Sequence, residues 1–191
     1  MKKNNINKGV FDSNEELYFT YFLNDLKDKG FIDDFYKNEE SYPLTKGLSV
    51  NYIKPMKKVN DKVLKQTILS SSIYTPDFII KWNDKALGIF VTDISKPIKD
   101  KIITEFICQE NMISVVEVKG AWDNNNMTRL AINNIKVVWD KHSIFVNLIK
   151  IPSIFNKLFT PERYFMTDKT FKPRKLNYKN VKTLKEYLNE K

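Results

Sequence analysis

Cysteine and histidine each occur only once in this sequence of 191 residues, as Cys108 and His142. A single cysteine excludes a disulfide framework and every cysteine-rich zinc site. A single histidine argues against zinc hydrolases, which use several histidines, and against histidine-centred nuclease motifs. We therefore expect any metal bound by this chain to have oxygen ligands.

Glycine is also scarce, with five residues at positions 9, 30, 47, 88 and 120. The phosphate-binding loops of P-loop enzymes and of dinucleotide-binding proteins need closely spaced glycines, because their backbones approach the phosphates directly. Such loops cannot be written with these widely separated positions. The sequence therefore argues against nucleotide-binding enzymes of both classes.

Long apolar runs are missing as well. No segment approaches the roughly 18 apolar residues of a membrane span, and the polar residues 1–5 do not resemble a signal peptide. Apolar residues still make up 42% of the chain and aromatic residues 13%, which is enough for a hydrophobic core. These features predict a soluble, cytoplasmic protein of one domain with no membrane partner.

The net charge of +9 is unevenly distributed. Residues 41–76 contain 6 Lys and Arg against 1 Asp, which gives +5, and residues 150–191 contain 11 against 4, which gives +7. The segment between them, residues 77–149, has 9 of each sign and is neutral. Two basic blocks around a neutral centre are expected if a polyanion is held on either side of a working core, and a lysine-rich solvated surface is the alternative.

Apolar periodicity and turn residues predict helices and strands in the order helix, strands, helix, strand. Residues 34–54 mix aromatic and charged side chains with Pro43 and Gly47, which favours short strands and turns. In the run 72–82, Pro76 indicates a bulge or a strand start. The predicted elements are a helix at 13–29, strands at 72–82, 86–93, 102–108 and 112–119, a helix at 127–139, a strand at 144–149 and a short helix containing Val181, Leu184 and Leu188.

Two short motifs carry candidate chemistry. The first is Pro76-Asp77, and the second is Glu117-Val118-Lys119. Since Glu117 and Lys119 are two positions apart on a strand, their side chains point to the same face. A Glu and a Lys in an otherwise apolar run cost free energy unless they are paired or bind something.

With these motifs the sequence resembles the PD-(D/E)XK nuclease superfamily, particularly its small phage-type and transposon-type members, which include Holliday-junction resolvases. The resemblance covers about residues 13–150 and includes the Ser13-x-x-Glu16 helix start. It implies a restriction-endonuclease-like α-β-β-β-α-β core, with a mixed central sheet flanked by helices. Asp77 and Glu117 are separated by 40 positions (117 minus 77). This long spacing leads us to expect an inserted hairpin at 84–111, and 151–191 should form a basic C-terminal extension of the same domain.

The resemblance also implies a mechanism. Asp77, Glu117 and the Val118 carbonyl would hold Mg²⁺ or Mn²⁺, which favour oxygen ligands. Lys119 would position the attacking water or stabilise charge in the transition state. Glu16 would reach in from the first helix as a further catalytic ligand, with Glu15 as the alternative carboxylate.

Each motif also has an ordinary structural interpretation. Ser13 and Glu16 fit a helix capping box, and Pro76-Asp77 fits a simple turn. Glu117 and Lys119 can form a surface ion pair of little energetic value. Their joint order along the chain favours the nuclease interpretation.

Several basic side chains are candidate DNA contacts. Arg129 and Lys136 share one face of the second predicted helix, although a solvated face explains them equally well, and Asp123 is expected to cap that helix. The C-terminal candidates alternate with Tyr164, Phe165 and Phe171, which suits phosphate binding with some base stacking, whereas a solvated tail is the alternative. These basic residues are Arg163, Lys169, Lys172, Arg174 and Lys175.

The sequence therefore predicts a Mg²⁺- or Mn²⁺-dependent endonuclease acting on DNA, in the host-cell cytoplasm if it is phage-encoded. We further expect branched DNA as a substrate and a homodimer as the active species. One alternative is a catalytically idle nuclease fold kept as a DNA-binding or virion component. Another is an assembly protein whose basic ends contact other subunits.

Overall fold

The computed structural model describes residues 11–56, 60, 62–98, 103–120 and 125–191. Its helices are α1 (Asn14–Asp28), α2 (Asn125–His142), α3 (Ile151–Lys157) and α4 (Leu184–Asn189). Its strands are β1 (Ile32–Lys37), β2 (Tyr42–Thr45), β3 (Leu48–Lys54), β4 (Lys62–Leu69), β5 (Ser72–Tyr74), β6 (Phe78–Trp82), β7 (Val91–Asp93), β8 (Phe106–Cys108), β9 (Ile113–Lys119) and β10 (Val146–Lys150).

The central sheet has four strands in the order β1-β6-β9-β10. The β1–β6 and β6–β9 pairs are antiparallel, whereas β9 and β10 are parallel. The parallel pair follows from the connection, because the chain returns through α2 before it forms β10. The protein is therefore an α/β fold with a mixed central sheet, as the sequence predicts at this level.

Alternation along β6 directs the two faces of the sheet into two hydrophobic clusters. Phe78 and Ile80 pack in one cluster with Phe19 and Phe22 of α1. Ile79 belongs to the other cluster, which includes Val138 of α2 and other side chains. The helices α1 and α2 therefore cover opposite faces of the sheet.

Local signals explain both ends of α1. The Ser13 hydroxyl accepts a hydrogen bond from the Glu16 N–H at 3.2 Å, which caps the first turn. At the other end Gly30 has a φ of +75°, a conformation that glycine adopts without strain. The N-terminus of α1 lies near the end of β9, since Glu15 and Gly120 line the same pocket.

The C-terminal segment completes the larger cluster. Four of its side chains are buried in the cluster that α1 forms with the sheet face carrying Phe78 and Ile80. They are Phe155 of α3, Phe159, and Leu184 and Tyr187 of α4. Cys108 is buried in the same cluster. Among the described residues, no helix has the length and apolar character needed to cross a membrane.

Several elements differ from the sequence expectations, and the strand predicted at 86–93 is shorter, since only Val91–Asp93 forms a strand. The predicted strand 72–82 divides at Pro76: β5 pairs with β2, while β6 enters the central sheet. The hairpin expected at 84–111 is wrong, because β7 and β8 pair in parallel. Twelve residues, 94–105, separate the two strands, which is the length that a parallel connection needs. Helix α3 and strand β4 were not predicted, although Pro152 in the first turn of α3 is a favourable helix start.

Strands β2 to β5 form a projecting β-ribbon, which we call the ribbon arm (described residues 42–56, 60 and 62–74). Its base is the antiparallel pair β2–β5, in which Tyr42 faces Tyr74. Its outer part is the antiparallel pair β3–β4, with Leu48 opposite Leu69 and Lys54 opposite Lys62. The arm is inserted between β1 and β6, the two neighbouring strands at one edge of the central sheet.

Candidate active site

The Pro-Asp and Glu-x-Lys motifs lie side by side in the structure. Phe78 pairs with Val116 in the antiparallel β6–β9 ladder, so one step further along the register position 77 stands opposite position 117. Cross-strand neighbours of this kind point to the same face. The Val118 N–H donates a hydrogen bond to the Asp77 carboxylate at 2.7 Å, which joins the two motifs directly.

Glu117 is a buried carboxylate with a partner on each oxygen. The Lys119 ammonium lies 2.7 Å from Oε1, and the Tyr74 hydroxyl donates to Oε2 at 2.9 Å. Only 6% of the Glu117 surface is exposed, so these two contacts offset the loss of hydration. Tyr74 comes from the base of the ribbon arm and therefore links the arm to the site.

The electrostatics of Asp77 are less favourable. Burial, together with the neighbouring charges of Glu117 and Glu16, raises its pKa to about 7. The Val118 N–H and the Lys119 ammonium act in the opposite direction without cancelling this shift. Burial, followed by the charge of Glu117, also raises the pKa of the Tyr74 hydroxyl. Near neutral pH the hydrogen bond from Val118 and the positive charge of Lys119 therefore only partly compensate the negative charge of the site.

Glu16 has the capping role and also faces the site. Its Oε1 accepts a hydrogen bond from the Ser13 hydroxyl at 3.0 Å, and Lys37 of β1 lies 3.4 Å from Oε2. Lys37 also pairs with the exposed Asp12 at 2.8 Å. The helix-capping interpretation is therefore compatible with a position beside Asp77.

A pocket of about 350 Å³ lies where α1 begins and β9 ends. A Cβ on Gly120 would come within 3.0 Å of Glu15 Oε1, so glycine at this position leaves room for that carboxylate. Glu117 does not line the pocket, but its carboxylate forms an ion pair with the Lys119 ammonium, which does. The lining residues are Ser13, Glu15, Glu16, Asp77, Val118, Lys119 and Gly120.

Three carboxylate side chains, those of Glu15, Glu16 and Asp77, line this pocket, and carboxylate oxygens suit a hard divalent cation. The raised pKa of Asp77 indicates that added positive charge would be favourable there. Within the described ranges, however, no three His, Cys, Asp or Glu side chains form a group that could hold a metal ion. A cation beside Asp77 would have to compete with Lys119 for the Glu117 carboxylate.

The predicted DNA-contacting residues fall into two structural groups. Arg129 and Lys136 are exposed on α2, and Lys169, Lys172 and Lys175 are exposed in the C-terminal segment. Arg163 and Arg174 instead make several contacts within the protein. Asp123 lies outside the described residues.

The contacts of the two arginines define what we call the arginine cluster: Tyr18, Tyr21, Arg163, Tyr164, Asp168 and Arg174. The Arg174 guanidinium lies 4.7 Å from the Tyr18 ring centre and 4.5 Å from that of Tyr164. It also bonds Asp168 at 3.0 Å, while Arg163 lies 3.5 Å from the same carboxylate. These contacts attach the C-terminal segment to α1, and a role of the two arginines in DNA binding stays a prediction.

Sequence reasoning missed Tyr74 and Lys37 as members of the site. Both contacts are long-range, since Tyr74 reaches a residue 43 positions away. No local motif marks such a pairing. The nearest signal was the position of Tyr74 just before Pro76-Asp77, on the segment that leads into the site.

Comparison with known proteins gave no match to a family model, to a curated protein or to a solved structure. The function must therefore be inferred from the chemistry of the site itself.

Proposed function

We propose that this protein is a divalent-metal-dependent endonuclease that hydrolyses phosphodiester bonds of DNA. The observation that carries the proposal is the 2.7 Å hydrogen bond between the Val118 N–H and the Asp77 carboxylate. It holds the Pro-Asp motif against the Glu-x-Lys motif, and Lys119 lines the same pocket as Asp77. This arrangement of acids and one ammonium suits chemistry at a phosphate group.

The order of elements supports a restriction-endonuclease-like core of the PD-(D/E)XK type. With the ribbon arm and the β7–β8 pair set aside, the elements run α1, β1, β6, β9, α2, β10. This is the α-β-β-β-α-β order that the resemblance implies, with β6 and β9 adjacent in the sheet. The two motif strands are therefore neighbours despite the long segment between them.

The residues that would hold Mg²⁺ or Mn²⁺ are Asp77, Glu117, Glu16 and the Val118 carbonyl. Their carboxylates do not form a metal-binding group as they lie in the described structure, so binding would have to draw them together and displace Lys119 from Glu117. A divalent ion bound there would supply Lewis-acid polarisation of the phosphate and would lower the pKa of a bound water. Its positive charge would also relieve the repulsion that raises the pKa of Asp77.

Lys119 has a separate role in the proposed reaction. Its ammonium is held by Glu117 at 2.7 Å and lies on the pocket wall, where it can donate a hydrogen bond to the attacking water or to a phosphate oxygen. Hydrolysis joins the water oxygen to phosphorus and breaks one P–O ester bond. The water loses a proton and the departing oxygen gains one, so the reaction is balanced without histidine.

Cleavage assays with paired variants test this proposal. We expect the wild-type protein to nick supercoiled plasmid and to cut a four-way junction when Mg²⁺ or Mn²⁺ is added. Asp77→Asn and Lys119→Ala should each lower the rate at least about 100-fold, because each removes a charged group from the reacting centre.

Lys81→Ala is the matched control, since Lys81 is exposed at the other end of β6. This variant should cut at the wild-type rate. Wild-type protein that cuts neither DNA with either cation would contradict the function. Asp77 or Lys119 variants that cut normally would contradict the site.

The second candidate function is a DNA-binding module with the same fold and no catalysis. It is favoured by the Glu117 carboxylate, both oxygens of which already have protein partners. Calorimetric titration with Mn²⁺ separates the two functions. Binding that Glu117→Gln abolishes supports the enzyme, whereas the absence of Mn²⁺ binding together with retained DNA retardation supports the module.

A further inference from the structure

The outer half of the ribbon arm is nearly free of the protein core. Neither hydrophobic cluster includes a described residue of 48–69. Almost every side chain of β3 and β4 is exposed, on both faces of the ribbon. A two-stranded ribbon is marginally stable by itself in water, so this part of the molecule gains the most from a partner.

Large apolar side chains are exposed on the arm. Val50 and Tyr52 lie on one face, and Ile53 and Val63 form a cross-strand pair on the other. Their exposed fractions range from 43% to 64%. Several exposed apolar groups on one projecting element are typical of a contact surface.

The charge of the arm identifies the kind of partner. Its described residues include Lys46, Lys54, Lys62 and Lys65 but no Asp or Glu. Lys54 and Lys62 are direct cross-strand partners, and like charges in that position repel each other. A polyanion lying over this pair would turn the repulsion into attraction.

We propose that the ribbon arm docks duplex DNA by entering its major groove. The major groove accepts a two-stranded β-ribbon, and lysines on both faces of such a ribbon can reach phosphates. The seven residues of β3 span about 20 Å at the usual rise, which matches several base pairs. A second copy of this chain is disfavoured as the occupant because ribbon-to-ribbon contact would bring the lysines together.

The base of the arm connects this surface to the pocket. Tyr74 of β5 bonds Glu117, and the Asn38 side chain donates to the Pro76 carbonyl at 3.1 Å. DNA held by the arm would therefore be connected to the Glu-x-Lys motif through the Tyr74–Glu117 hydrogen bond. The inference rests on the proposed function only in this last step, since docking itself needs no catalysis.

The test replaces the three outer lysines together, as Lys54→Gln, Lys62→Gln and Lys65→Gln. Affinity for a fluorescent duplex is measured by anisotropy in the presence of a chelator, between about 50 and 200 mM salt. We expect binding at least about tenfold weaker and a salt slope reduced by about 2 to 3, since each lost phosphate contact removes about 0.9. Circular dichroism confirms that the variant is folded.

The matched control removes the same charge elsewhere. Lys29, Lys81 and Lys85 are exposed and lie outside the arm, the pocket and the basic segment 150–191. Their triple Gln variant should keep the wild-type slope to within about 1. Equal losses in the two triple variants, or no loss in the arm variant, would overturn the proposal.

Hydrogen exchange provides a second measurement. Amides of β3 and β4 should exchange more slowly when duplex is added. Unchanged exchange in these strands would contradict docking of DNA on the arm. A dimer that the arm variant dissociates, while DNA affinity is retained, would show that the arm binds a second copy of the chain instead. Absence of cleavage by the wild-type protein would contradict the proposed enzymatic function without affecting these binding results.

Discussion

Two charged clusters lie along helix α1, and they differ in how well their charges are balanced. At the N-terminus of the helix, Glu16 and Asp77 share a pocket in which burial and neighbouring carboxylates raise the pKa of Asp77 to about 7. Further along the helix, the Arg174 guanidinium is stacked between two tyrosine rings and bonded to Asp168. The first cluster costs stability and the second supplies it, which is the difference expected between a working site and a structural contact.

The largest effect on stability should come from breaking the arginine cluster. Arg174→Ala removes two cation–π contacts and a partly buried ion pair, so we expect unfolding to require about 2–3 kcal/mol less free energy. Urea denaturation at neutral pH measures this change. Lys175→Ala is the control, because Lys175 is exposed next to it and should change stability by less than about 0.5 kcal/mol. An Arg174→Ala protein as stable as the wild type would show that the cluster is not structural.

A substitution in the pocket is expected to change the free energy of unfolding in the opposite direction. Asp77→Asn should stabilise the metal-free protein by on the order of 2 kcal/mol at pH 8, because Asn keeps an acceptor for the Val118 N–H and carries no charge. The folded-state pKa of Asp77 is raised, so its contribution to stability is present below pH 4 and lost as the pH rises through about 7. The gain from the substitution should therefore grow across this range and vanish in acid.

Asp93 provides a control because its pKa is shifted in the opposite direction to that of Asp77. Although burial acts to raise it, hydrogen bonds from Ser95 and Lys96 leave the pKa of Asp93 lowered. Asp93→Asn should therefore destabilise the protein at pH 8, and the loss should shrink as the pH falls through the lowered pKa. Chelator is present in both titrations. If Asp77→Asn also destabilises the protein at pH 8, the inference that the pocket carries excess negative charge is wrong.

The smallest effect concerns the link between arm and pocket. Tyr74→Phe removes the hydroxyl that donates to Glu117, and we expect a loss of about 1 kcal/mol in unfolding free energy. Tyr52→Phe is the control, since that ring is exposed on the arm, and it should be neutral. Equal effects of the two substitutions would argue against a significant Tyr74–Glu117 bond.

The sequence predicted the local parts of the site well. The strand at 112–119 corresponds to β9, and the two-residue spacing of Glu117 and Lys119 produces the ion pair on one face. Pro76 was expected to start or bulge a strand, and β6 begins two residues later. These features depend on neighbours in the chain, which periodicity and proline sterics describe directly.

The long-range parts were not predictable in the same way. The parallel pairing of β7 with β8 joins two strands that no turn motif connects, so no local signal in the sequence marks it. The ribbon arm has weak alternation because both of its faces are exposed, so β4 gave no period-2 signal. The contacts of Arg163 and Arg174 with α1 join positions more than a hundred residues apart and have no local signature.

The burial of Cys108 has a practical consequence for experiments. Burial raises the pKa of this thiol to about 11, so at neutral pH it is neither accessible nor ionised enough to react with maleimides. It is also the single cysteine of the chain. A cysteine introduced at an exposed position would therefore be the one that reacts, which allows a fluorophore or spin label to be attached at a chosen point without first removing a native thiol.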